Sequence, residues 1–497
     1  MSNKLTSLVL GAALGLLAVP GCDLHIPDLN NPGLEQLENN PTAAGVNAAA
    51  TGMLVFLRSN KPTAVGYINQ LGILGRESYD FDPNDGRFVT EDIQGNLNRS
   101  SPFGGSFWGG SYANIRGGNI ILHALDKLAS LGDPTTVDKD KASVKGFVET
   151  MQALEFLSVI LTHYGTGAPV DVDRDLTAPL GPIVSQADVV KKINDLLDQG
   201  QMDLLNGGDA FTFPLSGFDG FESPAAFVMV NRAIKAKTAA YTVDHSKVDY
   251  NALLAALTAA SQPPMGSDPL LNDNPTTPED LNVGVNYTFS TNPGDTTNSL
   301  SSRKSVFAHP HLQTDAQKQA DGTTLDQRYV NKIKLLAKPV TNTNDSSLTT
   351  PITFKIYATA GSPIPMVRNE ELILLKAEAL WFTGDHPGAI ALLNKVRAVS
   401  GKLDALGTTP GTVVPTTDAT FITALLYERR YSLMYEGGYR WIDLRRFSND
   451  NVNAIMVDDA APAKHSPNVR FPIPQGECDA RPGEPACNIT STDALVN

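Results

Sequence analysis

Cysteine is scarce in this chain, with three among 497 residues. That excludes a disulfide-dense scaffold, and with eight scattered histidines it leaves no Cys/His zinc pattern. Basic charge is short as well: 39 Lys and Arg stand against 53 Asp and Glu, a formal net charge of −14. A general nucleic-acid binder is therefore disfavoured, and neutral ligands, cations or proteins are the natural partners. Past the N-terminus no apolar run approaches the roughly 20 residues a membrane helix needs. Only three tryptophans are present, few for a long-polysaccharide platform. Catalytic signatures are missing too: no His-Glu-x-x-His helix, no Gly-x-Ser-x-Gly elbow, no phosphate loop. His309-Pro310-His311 is the closest histidine pair and reads as a solvated loop. The loops Asp82–Gly86 and Asp171–Asp175 begin like calcium loops. The first has Ile93 where the closing Glu belongs, and the second lacks its turn glycine. The cofactor expectation is none, with calcium kept open at those two loops.

What is present reads as a folded, exported protein. Apolar content of 41% with 19% charged residues is ordinary for a globular chain. Lys4 precedes the apolar run Leu8–Val19, and small residues lead to Cys22. Residues 1–21 therefore read as a signal peptide, and Val19-Pro20-Gly21-Cys22 as a lipoprotein cleavage box in which Cys22 is acylated. Pro20 departs from the usual residue there, and an ordinary cleaved secretory signal is the alternative. Residues 22–40 would form a tether, with the lipid as sole anchor. Cys478 and Cys487 lie close together in a Pro/Gly-rich tail and can close a small disulfide in an oxidising compartment.

Residues 41–497 read as one α-helical domain. Apolar residues recur at helical spacing through 43–57, 107–125, 144–164, 189–197, 224–240 and 251–260. Ser185 and Ser223-Pro224 look like helix starts. Two stretches, about 66–110 and 262–364, are rich in Asn, Asp, Gly, Pro and Thr and read as loop-rich insertions. Helices resume at 366–382 and 387–400, a pair resembling a tetratricopeptide hairpin.

The most unusual stretch is Glu428–Arg446. On a helical period Ile422, Leu425, Leu426, Arg429, Leu433 and Glu436 share a face, so Arg429 and Glu436 interrupt an apolar stripe. A charge there is costly unless paired. Arg429 could meet Glu436, while Asp443 and Arg445 follow Gly437-Gly438. Glu371 and Glu378 sit on a similar stripe in 366–382. These six residues are expected to form a buried structural ion network and not a catalytic pair.

The run Glu428-Arg429-Arg430…Glu436-Gly437…Arg440-Trp441-Ile442-Asp443-Leu444-Arg445-Arg446 resembles the C-terminal signature of the SusD/RagB family. Trp108…Tyr112…Ile115…Asn119, Tyr164-Gly165…Ala168-Pro169, Arg368-Asn369-Glu370-Glu371 and Phe471-Pro472-Ile473-Pro474 resemble further family motifs in the family's order. The resemblance implies a mainly α fold of stacked tetratricopeptide-like hairpins with long loops and a few short strands. It also implies a lipid-anchored outer-membrane protein, exposed at the cell surface, that is not an enzyme. Such a protein captures an oligosaccharide, or a peptide, beside a SusC-like TonB-dependent transporter. In that family the irregular regions face the ligand, which nominates Tyr67, Arg76, Tyr79, Phe81, Phe88, Tyr287, Phe307, Arg328 and Tyr329. The competing readings are a tetratricopeptide-like assembly lipoprotein and a secreted glycoside hydrolase on an all-α scaffold.

Overall fold

The computed structural model describes residues 34–132, 134–175, 177–447 and 458–495. The signal segment, Cys22 and the first part of the expected tether lie outside them. The tether's last residues do not run extended: Leu34–Asn39 forms helix α1, with Leu37 buried at 3% exposure. An apolar side chain that finds the core holds the segment down, where a free tether would stay solvated.

Helices α2 (Ala43–Ser59) and α3 (Tyr67–Leu74) precede strand β1 (Ser78–Asp80) and the short α4 (Arg87–Thr90). The long α5 (Pro102–Lys127) and α6 (Val137–Thr162) follow. Next come β2 (Ala168–Pro169), β3 (Ile183–Val184), α7 (Gln186–Leu205), α8 (Pro224–Tyr241) and α9 (Tyr250–Ala260). Ser101, Ser185 and Ser223 cap α5, α7 and α8, each hydroxyl accepting from a backbone N–H of the first turn. Pro102 and Pro224 occupy first-turn positions, where a missing N–H costs nothing. Neighbours in sequence pack against each other, α5 with α6, α6 with α7, α7 with α8 and α8 with α9.

The region from 262 to 364 is built of short pieces. They are α10 (Pro278–Asn282), β4 (Gly284–Tyr287), β5 (Val306–Ala308), α11 (His311–Thr314), α12 (Gln327–Lys332), β6 (Ile333–Thr341) and β7 (Thr349–Phe354). Strand β8 (Ile364–Arg368) leads into α13 (Asn369–Phe382), α14 (His386–Val396), α15 (Asp418–Ser432) and α16 (Tyr439–Arg446). Among the described residues the four sheets are antiparallel pairs: β1–β5, β2–β3, β4–β8 and β6–β7. Tyr79 lies opposite Phe307 and Val285 opposite Val367, so each pair ties distant stretches of chain together.

Two boundaries differ from expectation. The stretch 66–110 is not loop-rich throughout, because every residue of α3 is buried. Its polar members are paired inside: Asn69 Nδ2 donates to Asp80 at 2.8 Å and Gln70 Nε2 to the Phe103 carbonyl at 3.1 Å. Amides satisfied this way can enter a core, which composition alone does not reveal. Residues 366–368 are strand and not helix, since β8 pairs with β4 and Arg368 is extended at φ −142°.

The ionic corner is present, with one partner exchanged. Arg429 Nε donates to Asp443 at 2.7 Å, and Arg429 Nη2 reaches the Tyr241 hydroxyl at 3.1 Å. Tyr241 in turn donates to Glu371 at 2.8 Å, which Lys237 and the Tyr439 hydroxyl also hold. Arg446 joins Glu378 to Asp443. Arg445 donates to the carbonyls of Val469 and Leu161 and lies 4.0 Å over the Trp441 ring. Glu436 does not meet Arg429. Helix α15 ends at Ser432, short of the glycines, so Glu436 leaves the stripe and pairs with Arg368 at 3.0 Å and Lys332 at 2.8 Å. Tyr435 takes a left-handed φ of 56°, which bulky residues seldom adopt. Its ring stacks 4.2 Å from Phe354 and its hydroxyl donates to Asn69, which holds the turn.

Candidate ligand cleft

The nine nominated loop residues converge on three places, and most are core. Tyr79, Phe81, Phe88 and Phe307 gather around the β1–β5 pair, with Tyr79 and Phe81 rings 5.3 Å apart and Phe81 and Phe307 5.5 Å apart. Tyr79 and Phe88 are fully buried there, and so is Arg76, which holds Asp459 at 2.9 Å. Only Phe81 and Phe307 keep partial exposure. Arg328 is buried between Asp326 at 2.6 Å and Glu428 at 2.7 Å, with Tyr329 buried beside it. Tyr67 and Tyr287 are buried and flank Lys61. Flat aromatic and guanidinium groups suit a ligand and suit a core equally, and here the core holds most of them.

The calcium-like loops have committed their carboxylates. Asp82 is held by Arg303 at 3.1 Å, Asp85 by Arg87 at 2.7 Å and Asp171 by Arg174 at 2.9 Å. A cation would have to displace a guanidinium from each of these three, while Asp173 meets His123 at 3.1 Å and Asp175 accepts from Thr177 N at 2.8 Å. Among the described residues His311, Asp315 and Asp458 bring ligand atoms within 4.8 Å of one another. Arg430 pairs with both acids and Arg440 with Asp458, so that cluster is already neutralised.

A surface cleft of about 250 Å³ opens elsewhere. One wall is α5, where Trp108, Tyr112 and Arg116 sit at helical spacing on one face. Trp108 is only 4% exposed, with its ring 5.1 Å from Tyr112, which is half-buried. Tyr112 donates to the Pro169 carbonyl at 2.8 Å and so ties β2 to the helix. The opposite wall is the loop 170–181, contributing Asp171, Arg174 and an exposed Leu180. Arg174 bonds Asp171 and the Pro179 carbonyl at 3.0 Å, bracing the loop from inside. Gly181 is required there, because a Cβ would stand 2.4 Å from the Asp171 carbonyl oxygen.

The third wall comes from the C-terminus. Arg481 donates to Glu477 at 2.6 Å and to the Gly181 carbonyl, pinning the loop 170–181. Its position is set by the disulfide between Cys478 and Cys487, which spans a sequence separation of 9. Arg99 adds a bond to the Cys487 carbonyl. Replacing both cysteines with serine is expected to cost about 2–3 kcal/mol by loop-closure entropy. The same change should speed amide exchange at Gly181, and a melting temperature and exchange rate equal to wild type would contradict this.

The cleft pairs an apolar floor with a charged rim. A sugar ring could lay its CH face on the Tyr112 and Trp108 edge while Arg116, Arg174 and Glu477 take hydroxyls. Sequence reasoning placed Trp108 in the core, where it is largely buried, and passed over Tyr112, Arg116, Leu180 and Arg481. The α5 spacing of Trp108, Tyr112 and Arg116 was the one available signal, since it puts two aromatics and a cation on one face.

The mainly helical scaffold with small two-stranded sheets is shared with SusD-like proteins of known structure. Residues 349–483 match the model of the SusD family. No curated protein sequence matches the chain significantly. Among solved structures it is similar to a SusD superfamily protein from Bacteroides vulgatus, at 15% identity and TM-score 0.62, over 90% of this chain and 98% of that one. It is also similar to surface glycan-binding protein A from Bacteroides uniformis, at 19% identity and TM-score 0.63, over 91% of this chain and 100% of that one. A laminarin-binding SusD-like protein shares 16% identity and TM-score 0.58, over 88% of this chain and 97% of that one. Residues 349–483 thus carry the SusD family's sequence signature, and the chain as a whole shares the fold of SusD-like proteins.

Proposed function

We propose that this protein is a cell-surface nutrient-binding lipoprotein, anchored through Cys22 in the outer membrane. It captures an oligosaccharide and passes it to a SusC-like TonB-dependent transporter, without chemistry of its own; a peptide is the second choice of ligand. The observation that carries the reading is the cleft: an aromatic floor of Trp108 and Tyr112 under a rim of arginines and carboxylates, in about 250 Å³. The glycan-binding names of the structural relatives support it. Paired helices such as α8–α9 and α13–α14 would supply the tetratricopeptide-like surface that docks on the barrel.

Calorimetric titration with a panel of neutral oligosaccharides tests this. One class should bind wild type, and Tyr112→Ala or Arg116→Ala should weaken it about tenfold or more. Binding unaffected by both changes moves the site away from this cleft. Shortened products after incubation would favour the hydrolase. Crosslinked recovery of periplasmic assembly factors, in place of a TonB-dependent barrel, would favour the scaffold reading.

A further inference from the structure

Lys61 follows α2 and is only 8% exposed. A buried ammonium ordinarily has a carboxylate or several carbonyls around it. Among the described residues none lies within hydrogen-bond distance of its Nζ. The charge rests instead on two ring faces, Tyr67 at 4.3 Å and Tyr287 at 5.4 Å. Neither phenol hydroxyl finds a partner among the described residues. Burial pushes both phenols well above the usual range, so they remain O–H donors.

All three groups line a cavity of about 50 Å³. That is room for roughly three or four water-sized groups, enough for a carboxylate and its neighbouring carbon. Lys237 and Tyr439 line it too, but they are occupied with Glu371, Lys237 donating to it and to the Tyr439 hydroxyl. Glu436, at the same cavity, is neutralised by Arg368 and Lys332. Glu155 from α6 faces Lys61 from a second cavity of about 30 Å³ and accepts from Asn114 at 2.7 Å. Glu155 offsets part of the charge, but among the described residues the Lys61 ammonium and the two phenols are left as donors without a hydrogen-bonded acceptor.

We infer that Lys61, with the hydroxyls of Tyr67 and Tyr287, forms a receiving site for a small organic carboxylate, such as the acid end of a carboxylated sugar. The cation supplies the charge and the phenols supply directed bonds to the carboxylate oxygens. The site shares no lining residue with the cleft of Trp108 and Tyr112, so it stands apart from neutral-glycan binding. Burial, opposed by Glu155 and reinforced by Lys237, lowers the Lys61 ammonium to about 8. The site is therefore charged at neutral pH and discharges in the mildly alkaline range.

Acetate and acetamide, nearly equal in size and different in charge, are the probes. Thermal melting and calorimetric titration at constant ionic strength compare wild type with Lys61→Met and Tyr287→Phe. Acetate should raise the wild-type melting temperature where acetamide does not, and the response should fade as pH rises through about 8. Lys61→Met should show no acetate response, and Tyr287→Phe should bind acetate about tenfold more weakly. Equal shifts from the two probes, or a response that survives in Lys61→Met, overturn the inference, as does one constant with pH. If Lys61→Met does not fold, Tyr287→Phe and the pH dependence decide. Neutral oligosaccharide affinity of the same variants is read in parallel and should not move.

Discussion

Replacing Arg429 with alanine is expected to lower the unfolding free energy by about 3–5 kcal/mol, the usual result of stranding one member of a buried ion pair. The guanidinium is fully buried and holds Asp443 and the Tyr241 hydroxyl, so its loss leaves Asp443 facing only Arg446 at 3.5 Å. Tyr241 keeps Glu371, and the strain falls on the α15–α16 junction. Denaturant unfolding checks the figure. A double variant, Arg429→Met with Asp443→Leu, should recover much of the loss, because it removes both charges together. Oligosaccharide affinity of the surviving folded fraction should barely change, since the corner lines no part of the cleft. Affinity abolished at an unaltered melting temperature would turn the corner into a binding site and sink this account.

Stability should pass through a maximum near pH 5, with Glu77 and Glu370 shaping opposite limbs. Burial raises Glu77 to about 7, against the Tyr435 backbone N–H at 3.2 Å and the weaker pull of Arg430, Arg440 and Lys332. The unfolded carboxyl titrates near about 4.3, so between these values the folded state holds a proton the unfolded state has lost. Stability therefore rises as pH falls from 7 toward 4.3, by about 3 kcal/mol in all. Glu370 behaves in the reverse sense. Burial alone would raise it, but Arg368, Arg328 and Lys332 outweigh burial and hold it at about 2. Its contribution is present above about 4.3 and lost as pH falls toward 2. Asp458, depressed by Arg440 and Arg430 against its burial, steepens the acid limb. Calorimetric melting across the range checks the profile. Glu77→Gln should flatten the neutral limb alone, and a limb unchanged in that variant would refute the assignment.

The helical layout was legible because α5, α6 and α8 carry apolar residues at helical spacing, and because Ser185 and Ser223-Pro224 mark the starts of α7 and α8. The ionic corner was legible because Arg429 on an Ile/Leu stripe demands a partner. Which partner it takes was not legible. Helix α15 stops at Ser432, and a residue past a helix end no longer follows the helix period, so Glu436 went to Arg368. The β1–β5 pair joins Tyr79 to Phe307 across more than two hundred residues, and neither strand is long enough to announce itself. The candidate cleft was the least legible. Tyr79 and Phe88 look like a sugar platform in the sequence, yet they close a small core, while Tyr112 and Arg116 look like ordinary helix positions. Lys61 was missed altogether, for a lone lysine between Asn60 and Pro62 carries no pattern.

The tail of the chain finishes structure begun near its start. Phe471 packs its ring 4.9 Å from Phe107, and its N–H donates to the Thr162 carbonyl at 2.8 Å. The Ser491 hydroxyl accepts from Leu97 N at 2.9 Å, and the Asn468 amide caps carbonyls of Asp92 and Gly95. Trp108 and its neighbours leave the ribosome well before residues 468–491, which complete their surroundings. The helices can form in order as they emerge, while the seams between them wait for the far end, a high-separation closure of the kind that slows folding. Synthesis thus runs ahead of completion, and the cleft becomes a cleft only when Glu477 and Arg481 arrive.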